Sequence, residues 1–498
     1  MEDRNKLPYL SDVNGAEEGE PLRNCPGEMD QKVGSTWLQF VAAASVCLLT
    51  MSFGTMYSWT SPALPFLRSN ESKISITNIE SSTIAALNDA GALFGNVIFL
   101  FLSGFIGRKY WIFMLAVPYT LSWLMIIFAK NVYTLYASRI LGGFTSDMCF
   151  CLTTMYLGEI ADKEIRGMLL TGIRIFLNLG HVYVKTAGAF LSYKTMNIMM
   201  FVVPLIFLAT FLFMPESPYY LLLNNRREEA LKTLMKLKGV TRKELVNTEL
   251  ERLQTSVKKS KKNQKSMFRE LFCIKAHRKS FSIVLIAWMT SFLSGRICIS
   301  AFTQDIFKET EIPLSPEICT IIITIVSVKM TIVSAFIIER IGRRISFILS
   351  GLFCALVLLM VGLFFFLKTH LILDVKSITW LPLLGLIVYE VAFALGLSYI
   401  PIVLLGEMFA LNIKIPAGFV ISIIANIFII FLKATFAWLN NIAGIYTTFW
   451  IYAICSVVGS LTFVLIAPET KGKTLEEIQE HLNAKSKRKI QRDPLNKS

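Results

Sequence analysis

The stretch SGFIGRKYW, Ser103 to Trp111, recurs in outline as IERIGRRIS, Ile338 to Ser346. Each copy follows a long apolar segment and contains a turn of Gly, Arg and a second basic residue. A weaker pair is formed by YLGEIADKEIRG at Tyr156–Gly167 and LLGEMFALNIKI at Leu404–Ile415. Corresponding apolar segments therefore end in corresponding motifs, which predicts that the chain consists of two related halves.

Composition indicates that these apolar segments lie in a membrane. Of 498 residues, 54% are hydrophobic and only 17% charged, and the mean hydropathy is +0.56. Globular proteins carry about 25% charged residues. A helix of about 20 apolar residues crosses the bilayer core. Twelve such segments are predicted: 37–58, 82–105, 110–129, 132–156, 166–190, 195–214, 280–306, 318–338, 345–367, 378–405, 415–438 and 446–467.

The repeat and the twelve segments together predict an all-α integral membrane fold of two pseudo-symmetric six-helix bundles. Residues 37–214 and 280–467 form the bundles, the tails are 1–36 and 468–498, and a charged segment, 215–279, joins the halves. Two such bundles around a site at mid-depth are typical of transporters that work by alternating access. Within the joining segment, 225–239 and 241–259 show helical apolar spacing, which predicts short helices.

The net charge of +15 is a topology signal, because Lys and Arg concentrate in cytoplasmic loops. The basic runs at 258–269 and 485–492 and both Gly-Arg turns fall on one side of the predicted membrane. Both termini are therefore predicted to be cytoplasmic, with lipid around the spans and no nucleic-acid partner. The sequon at Asn70 lies in the first outside loop and is a predicted glycosylation site, whereas the sequon at Asn496 lies inside.

The sequence carries no sign of an enzyme. Its nine cysteines show no paired spacing, so neither a disulfide framework nor a metal site is predicted. It contains no phosphate-binding loop that would indicate ATP, and no nucleophile-and-base pair or cofactor motif emerges. The first 36 residues contain no secretory apolar region, so the first span must act as its own signal. Nothing in the sequence sets an oligomeric state.

Seven motifs lie in order near the ends of the predicted spans: GRK at 107–109, RILGG at 139–143, GEIADKEIRG at 158–167, PESP at 215–218, ERIGRR at 339–344, GEMF at 406–409 and PETKGKTLEEIQEHL at 468–482. Together they resemble the motifs of the sugar-porter branch of the major facilitator superfamily, over about residues 37–482. SWTSPALP, Ser58–Pro65, looks most like the insect facilitated trehalose and sugar transporters.

The resemblance implies a network of charged residues at the cytoplasmic helix ends. In the family, such residues close the inner gate in the outward-open state. Ion pairs of this kind contribute little each in water, which suits a switch between states of similar energy. Charges that merely keep helix ends in water are the alternative. The predicted gate residues are Arg108, Arg139, Glu159, Arg166, Glu339, Arg343 and Glu407.

The resemblance also implies where a substrate would bind. The family places amides in helices 5, 7, 8 and 11, and a Glu and a Trp in helix 10. Alignment on the IRG and GRR motifs places few of those side chains in this sequence. Asn426, next to the helix-11 position, is the candidate amide to replace them. The matching positions in this chain that we take as pocket candidates are Arg174, Ser291, Phe292, Ile297, Ser327 and Ile402.

Basic residues stand where amides are missing. Arg174, Asn178, His181 and Lys185 share one face of helix 5, and Arg296 interrupts an apolar stretch in helix 7. A charge at this depth costs several kcal/mol, roughly 2.5 or more, so it marks a partner or a cavity. A cationic site would favour an acidic substrate.

Each of these charged residues also has a purely structural interpretation. Arg174 could pair with Asp147, Glu390 with Lys329, and Arg296 could extend to the outer surface. His181 alone fits an interior histidine with satisfied hydrogen bonds.

The sequence as a whole predicts a facilitative plasma-membrane carrier of trehalose or hexose. Family members that co-transport protons have an acid in helix 1, where this chain has Met56, and Asp89 in helix 2 could be a packed, paired group. One rival is a carrier of an anionic organic solute, suggested by Arg174, Lys185 and Arg296. Another is a sensor on the same fold that has lost transport, suggested by the missing amides.

Overall fold

The computed structural model describes residues 36–102, 106–263, 271–273, 275–371, 376–409 and 411–470. All regular secondary structure within these ranges is helical. The first half contains α1 (Trp37–Ser58), α2 (Thr60–Leu67), α3 (Asn78–Leu102), α4 (Arg108–Ile127), α5 (Val132–Phe144), α6 (Ser146–Ile160), α7 (Lys163–Phe190) and α8 (Tyr193–Phe211). The joining segment contains α9 (Pro218–Leu223), α10 (Arg227–Lys238) and α11 (Glu244–Asn263). The second half contains α12 (Lys275–Leu293), α13 (Arg296–Ala301), α14 (Thr303–Lys308), α15 (Pro316–Ile341), α16 (Arg343–Thr369), α17 (Leu381–Ala394), α18 (Ile400–Glu407), α19 (Leu411–Ala443) and α20 (Ile445–Ile466).

These helices form twelve spans, which confirms the predicted two-bundle fold. Nine spans in the described part of the chain are long and apolar enough to cross a membrane. The other three are α3 and the spans built from α12–α14 and α17–α18. We call the end of the bundle where α1 begins and α20 ends the tail face, and the opposite end the loop face.

Besides a one-residue interruption at Thr145 between α5 and α6, two predicted spans, 280–306 and 378–405, are broken over two or more residues, which corrects the expectation of continuous helices. α12 ends at Leu293, and Gly295 then has a φ of 88°, a left-handed conformation that favours glycine. A Cβ at Gly295 would lie 2.2 Å from the Tyr452 ring. The second break separates α17 from α18. Such breaks free backbone groups, which proteins tolerate at membrane depth where they are buried or line a cavity.

Close backbone contact joins α1 to α7. A Cβ at Gly54 would lie 2.1 Å from the Leu177 carbonyl oxygen, and one at Gly180 would lie 2.3 Å from the Met51 carbonyl oxygen. Lipid is as apolar as the helix surfaces, so helices in a membrane associate mainly through packing, and small residues permit it. The two glycines therefore set the position of α7, which carries the basic face.

The joining segment folds as predicted into short helices with their own apolar cluster around Leu222, Leu234 and Leu250. Ser217 caps α9 by accepting a hydrogen bond from Tyr220 N, and Pro218 occupies the first turn. Gly239, in the left-handed conformation, ends α10.

Candidate functional site

A cavity of about 330 Å³ lies between the two halves. Eight of the ten pocket candidates line it, and the structure brings them together from α7, α12, α13, α15 and α18: Asn178, His181, Ser291, Phe292, Arg296, Ile297, Ser327 and Ile402. Both breaks in the spans adjoin this cavity, since Arg296 follows the first and Ser398 lies in the second. The helix breaks thus place backbone and side chains together at the site.

Arg296 is held inside the cavity by a carboxylate. Its Nε lies 3.1 Å from Glu390 Oε1, and a terminal nitrogen donates to Ser327 Oγ at 3.1 Å. Its guanidinium also lies 5.7 Å from the ring centre of Phe393. Two alternatives from the sequence are therefore wrong, because Arg296 does not extend to the surface and Glu390 pairs with Arg296 rather than Lys329. The pair cancels the charge that Arg296 brings to the cavity.

The structure places the other two pocket candidates elsewhere. Arg174 lies against the ring of Tyr399, 5.6 Å from its centre, and this contact joins the two halves. Asn426 donates to Asp147 Oδ2 at 2.7 Å, and the same oxygen accepts from Asn96 and Ser422, each at 2.8 Å. The proposed pairing of Arg174 with Asp147 is therefore wrong: neutral donors from both halves surround that carboxylate.

His181 and Lys185 continue the basic face of α7 along the cavity. His181 Nδ1 lies 3.0 Å from the Gly54 carbonyl oxygen and 2.8 Å from Ser58 Oγ. A carbonyl oxygen can only accept, so Nδ1 donates to it. The histidine is thus a hydrogen-bonded interior residue, as one of the alternatives held. Lys185 is only 4% exposed and donates to Thr324 Oγ1 of the other half at 3.1 Å.

Aromatic side chains that sequence analysis missed complete the cavity wall. Trp288 lines the cavity with its ring 5.4 Å from that of Phe292, and Tyr57 and Phe393 line it as well. Within the described residues, the buried Trp288 Nε1–H has no hydrogen-bond acceptor. The i, i+4 spacing of Trp288 and Phe292 on α12 was the available signal.

A second buried ion pair joins the halves beside the cavity. Lys433 Nζ of α19 lies 2.6 Å from Asp89 Oδ2 of α3, and both side chains are buried. The same nitrogen lies 4.6 Å from the ring centre of Tyr57, which lines the cavity. Asp89 is thus a packed, paired group, as the sequence suggested.

At the tail face, charged motif residues form two copies of one arrangement. In the first half, Arg108 lies 3.4 Å from Glu159, which accepts from Ser217, and Glu216 accepts from Lys109 N at 3.0 Å.

In the second half, Arg343 lies 2.8 Å from Glu407, which accepts from Thr470 at 2.6 Å, and Glu469 accepts from Arg343 N and Arg344 N at 3.0 Å. PES at 215–217 and PET at 468–470 are therefore equivalent, a correspondence that sequence analysis did not draw.

Of the three remaining predicted gate residues, the two with described side chains fall outside these two arrangements. The prediction for Arg139 is wrong, because α5 begins at the loop face and Arg139 donates to Met56 O at 2.7 Å, near the end of α1. Arg166 donates to Ala161 O at 2.9 Å, just after α6 ends. The side chain of Glu339 lies outside the described residues.

Two six-span halves, one cavity between them and a duplicated charge network on one face define a multi-pass membrane protein of the two-bundle transporter class. The chain belongs to the family described as "Sugar (and other) transporter", which matches residues 35–482. The resemblance drawn from the motifs is confirmed.

Known relatives agree with this assignment. The chain is 30% identical over 444 residues to a facilitated trehalose transporter of Apis mellifera ligustica, covering 89% of this chain and 88% of that one. It is 29% identical over 486 residues to a facilitated trehalose transporter of Anopheles gambiae, covering 97% of this chain but only 60% of the relative's length. The fold matches the inward-open xylose transporter XylE from E. coli with a TM-score of 0.73, at 21% identity, over 89% of this chain and 99% of that one.

Proposed function

We propose that the protein is a facilitative carrier that moves a sugar, trehalose or a hexose, across the membrane by alternating access. The trehalose transporters among its relatives support the substrate class. The observation that carries the proposal is Trp288, a half-buried ring that lines a cavity between the halves and whose buried N–H has no acceptor among the described residues. Sugars bind through such faces and through neutral hydrogen-bonding groups, which Asn178, Ser291 and Ser327 supply.

Removing Trp288 tests this proposal. Uptake of radiolabelled trehalose and glucose in oocytes should saturate for the wild-type protein. Trp288→Ala is expected to raise KM about tenfold or more, because it removes a stacking surface and a hydrogen-bond donor. Trp380→Ala is the matched control, since Trp380 is 53% exposed, and its KM should stay within about twofold. Failure of any solute to enter saturably would favour the sensor alternative.

Uniport is the second part of the proposal. The helix-1 position that carries an acid in proton-coupled relatives is Met56, whose carbonyl accepts from Arg139. Asp89 is paired with Lys433, and Asp147 accepts three hydrogen bonds from neutral donors. We therefore expect that uptake follows the sugar gradient and is unchanged, within about twofold, by collapsing a proton gradient with a protonophore. Accumulation above the external sugar concentration would contradict this.

We further propose that the tail face is cytoplasmic, that both tails lie there, and that the protein resides in the plasma membrane. The basic excess of the loops and tails on that side supports this orientation. The same assignment keeps residues 1–36 and 468–498 as cytoplasmic tails and 215–279 as a cytoplasmic segment between the two bundles.

Glycosylation at Asn70 reports this orientation. Asn70 is exposed in the turn between α2 and α3, at the loop face. Glycosidase treatment is expected to increase the gel mobility of the wild-type protein but not of Asn70→Gln. Asn496→Gln is the matched control and should behave as wild type, because its sequon lies on the proposed cytoplasmic side. If Asn496→Gln lost the glycan instead, the proposed orientation of the protein in the membrane would be wrong.

A further inference from the structure

The charges around the cavity do not balance. The described lining residues include two cationic side chains, Arg296 and Lys185, and one carboxylate, Glu390. Glu390 is already paired with Arg296 at 3.1 Å. The charge of Lys185 is therefore left over, and His181 does not compensate it, since a histidine adds no negative charge.

Lys185 also has unused hydrogen-bonding capacity. Thr324 Oγ1 donates to Thr320 O at 2.7 Å, so it accepts from Lys185 Nζ at 3.1 Å. An ammonium group has three N–H donors, of which this contact uses one. In the described part of the chain, Lys185 has no ion pair with a carboxylate. A cation that is 4% exposed and lacks a counter-charge is costly in a membrane protein, and such groups mark substrate pathways.

We propose that Lys185 is an anion subsite of the cavity, and that the carrier prefers a sugar bearing one carboxylate over the corresponding neutral sugar. The inference rests on the proposed sugar-carrier function and names a preferred substrate class for it. One carboxylate supplies the single negative charge that the cavity lacks, and it accepts charge-assisted hydrogen bonds from Lys185. A phosphate monoester carries about −1.5 to −2 charges at neutral pH and would exceed that balance.

The orientation of such a substrate follows from the lining residues. The carboxylate accepts from the remaining N–H donors of Lys185, where α7 and α15 of opposite halves meet. The sugar ring lies toward Trp288 and Phe292 on α12. A bound carboxylate thus replaces the missing counter-charge at the boundary of the halves.

The test compares glucose with glucuronate, which differ at one carbon. Each unlabelled compound competes with radiolabelled trehalose or glucose for uptake in oocytes at neutral pH. Glucose 6-phosphate is tested as a third competitor. For the wild-type protein, glucuronate should inhibit at a concentration about tenfold or more below that of glucose, as expected for hydrogen bonds to a charged group. Lys185→Met should abolish this difference by bringing the ratio of the two inhibitory concentrations close to one, and Lys185→Arg should retain the preference.

The possible outcomes separate the two proposals. Equal inhibition by glucose and glucuronate in the wild type overturns the anion subsite but leaves the sugar carrier standing. Stronger inhibition by glucose 6-phosphate than by glucuronate overturns the single-charge argument. If no sugar, neutral or acidic, inhibits or enters, the proposed function itself fails. Should Lys185→Met not reach the surface, the ratio of the two inhibitory concentrations in the wild type still supports or overturns the preference.

Discussion

Lys433→Gln is expected to lose most of the folded protein and nearly all transport. The substitution leaves Asp89 buried without its counter-ion, 2.6 Å from where Nζ stood. Removing one partner of a buried pair costs about 3–5 kcal/mol, because the remaining charge is uncompensated. That is a large part of the roughly 5–15 kcal/mol that stabilises a typical domain. The measurement is the thermal midpoint of detergent-solubilised protein, together with surface expression and uptake.

A double-mutant cycle separates the charge from the packing. Asp89→Asn alone should be as damaging as Lys433→Gln, whereas the double variant Asp89→Asn/Lys433→Gln should recover most of the thermal stability, since neither charge is then stranded. Lys329→Gln is the matched control, because Lys329 lies in a span of the second half but is exposed, and it should match the wild type. If Lys433→Gln behaves like this control, the buried pair does not stabilise the fold.

The double variant should also change the transport cycle. The pair joins α3 of the first half to α19 of the second, and Lys433 lies against Tyr57 on the cavity wall. Alternating access requires the halves to move against each other. Because the pair favours the arrangement seen here, the stable double variant is expected to alter the ratio of net uptake to sugar exchange. An unchanged ratio would show that the pair acts on stability alone.

Gly180→Ala is expected to prevent correct packing of the first half. Its Cβ would lie 2.3 Å from the Met51 carbonyl oxygen, far inside van der Waals contact, and its three nearest atoms all belong to the backbone of α1. α1 and α7 must then separate, and overpacking of this kind typically costs about 1–3 kcal/mol. Since α7 also carries Asn178, His181 and Lys185, the displacement should impair uptake even in protein that folds.

Gly167→Ala in the same helix is the matched control. A Cβ there would meet nothing within 4 Å, and alanine favours a helix over glycine by about 1 kcal/mol. This variant should keep or slightly raise the thermal midpoint. Gly180→Ala, and Gly54→Ala at the partner glycine of α1, should lower both the thermal midpoint and the amount of protein at the cell surface. Equal thermal midpoints for Gly180→Ala and Gly167→Ala would contradict the packing argument.

The cavity shows which part of a binding site could be predicted from the sequence. Ser291, Phe292, Ile297, Ser327 and Ile402, which alignment on short motifs selects, all line the cavity, because a helix anchored at one end has its remaining positions set by the rise per residue. Trp288 was overlooked, although it shares the face of Phe292 on α12. Its role becomes visible only in the folded protein, where Trp288 lines the cavity and its buried indole N–H has no acceptor among the described residues.

The sequence by itself determined the number of spans, the two related halves and the recurring charged motifs at the tail face. Hydropathy and repetition are properties of the sequence itself, so they do not depend on which helices pack together. Tertiary structure alone decided which charges meet. From the sequence, Arg296 could face the outer surface, an open cavity or a buried partner, and only packing brings Glu390 of α17 to 3.1 Å from it.

Packing also decided the surroundings of Arg139, which is buried against Met56 O, and this corrects a gate assignment made from motif order. It likewise decided that Asp89 and Lys433 pair across the halves. The physical reason is that spacing along one helix defines a face but not the helix that packs against it. The energy of a buried charge depends on its partner and surroundings in three dimensions, which the chain brings together from distant positions.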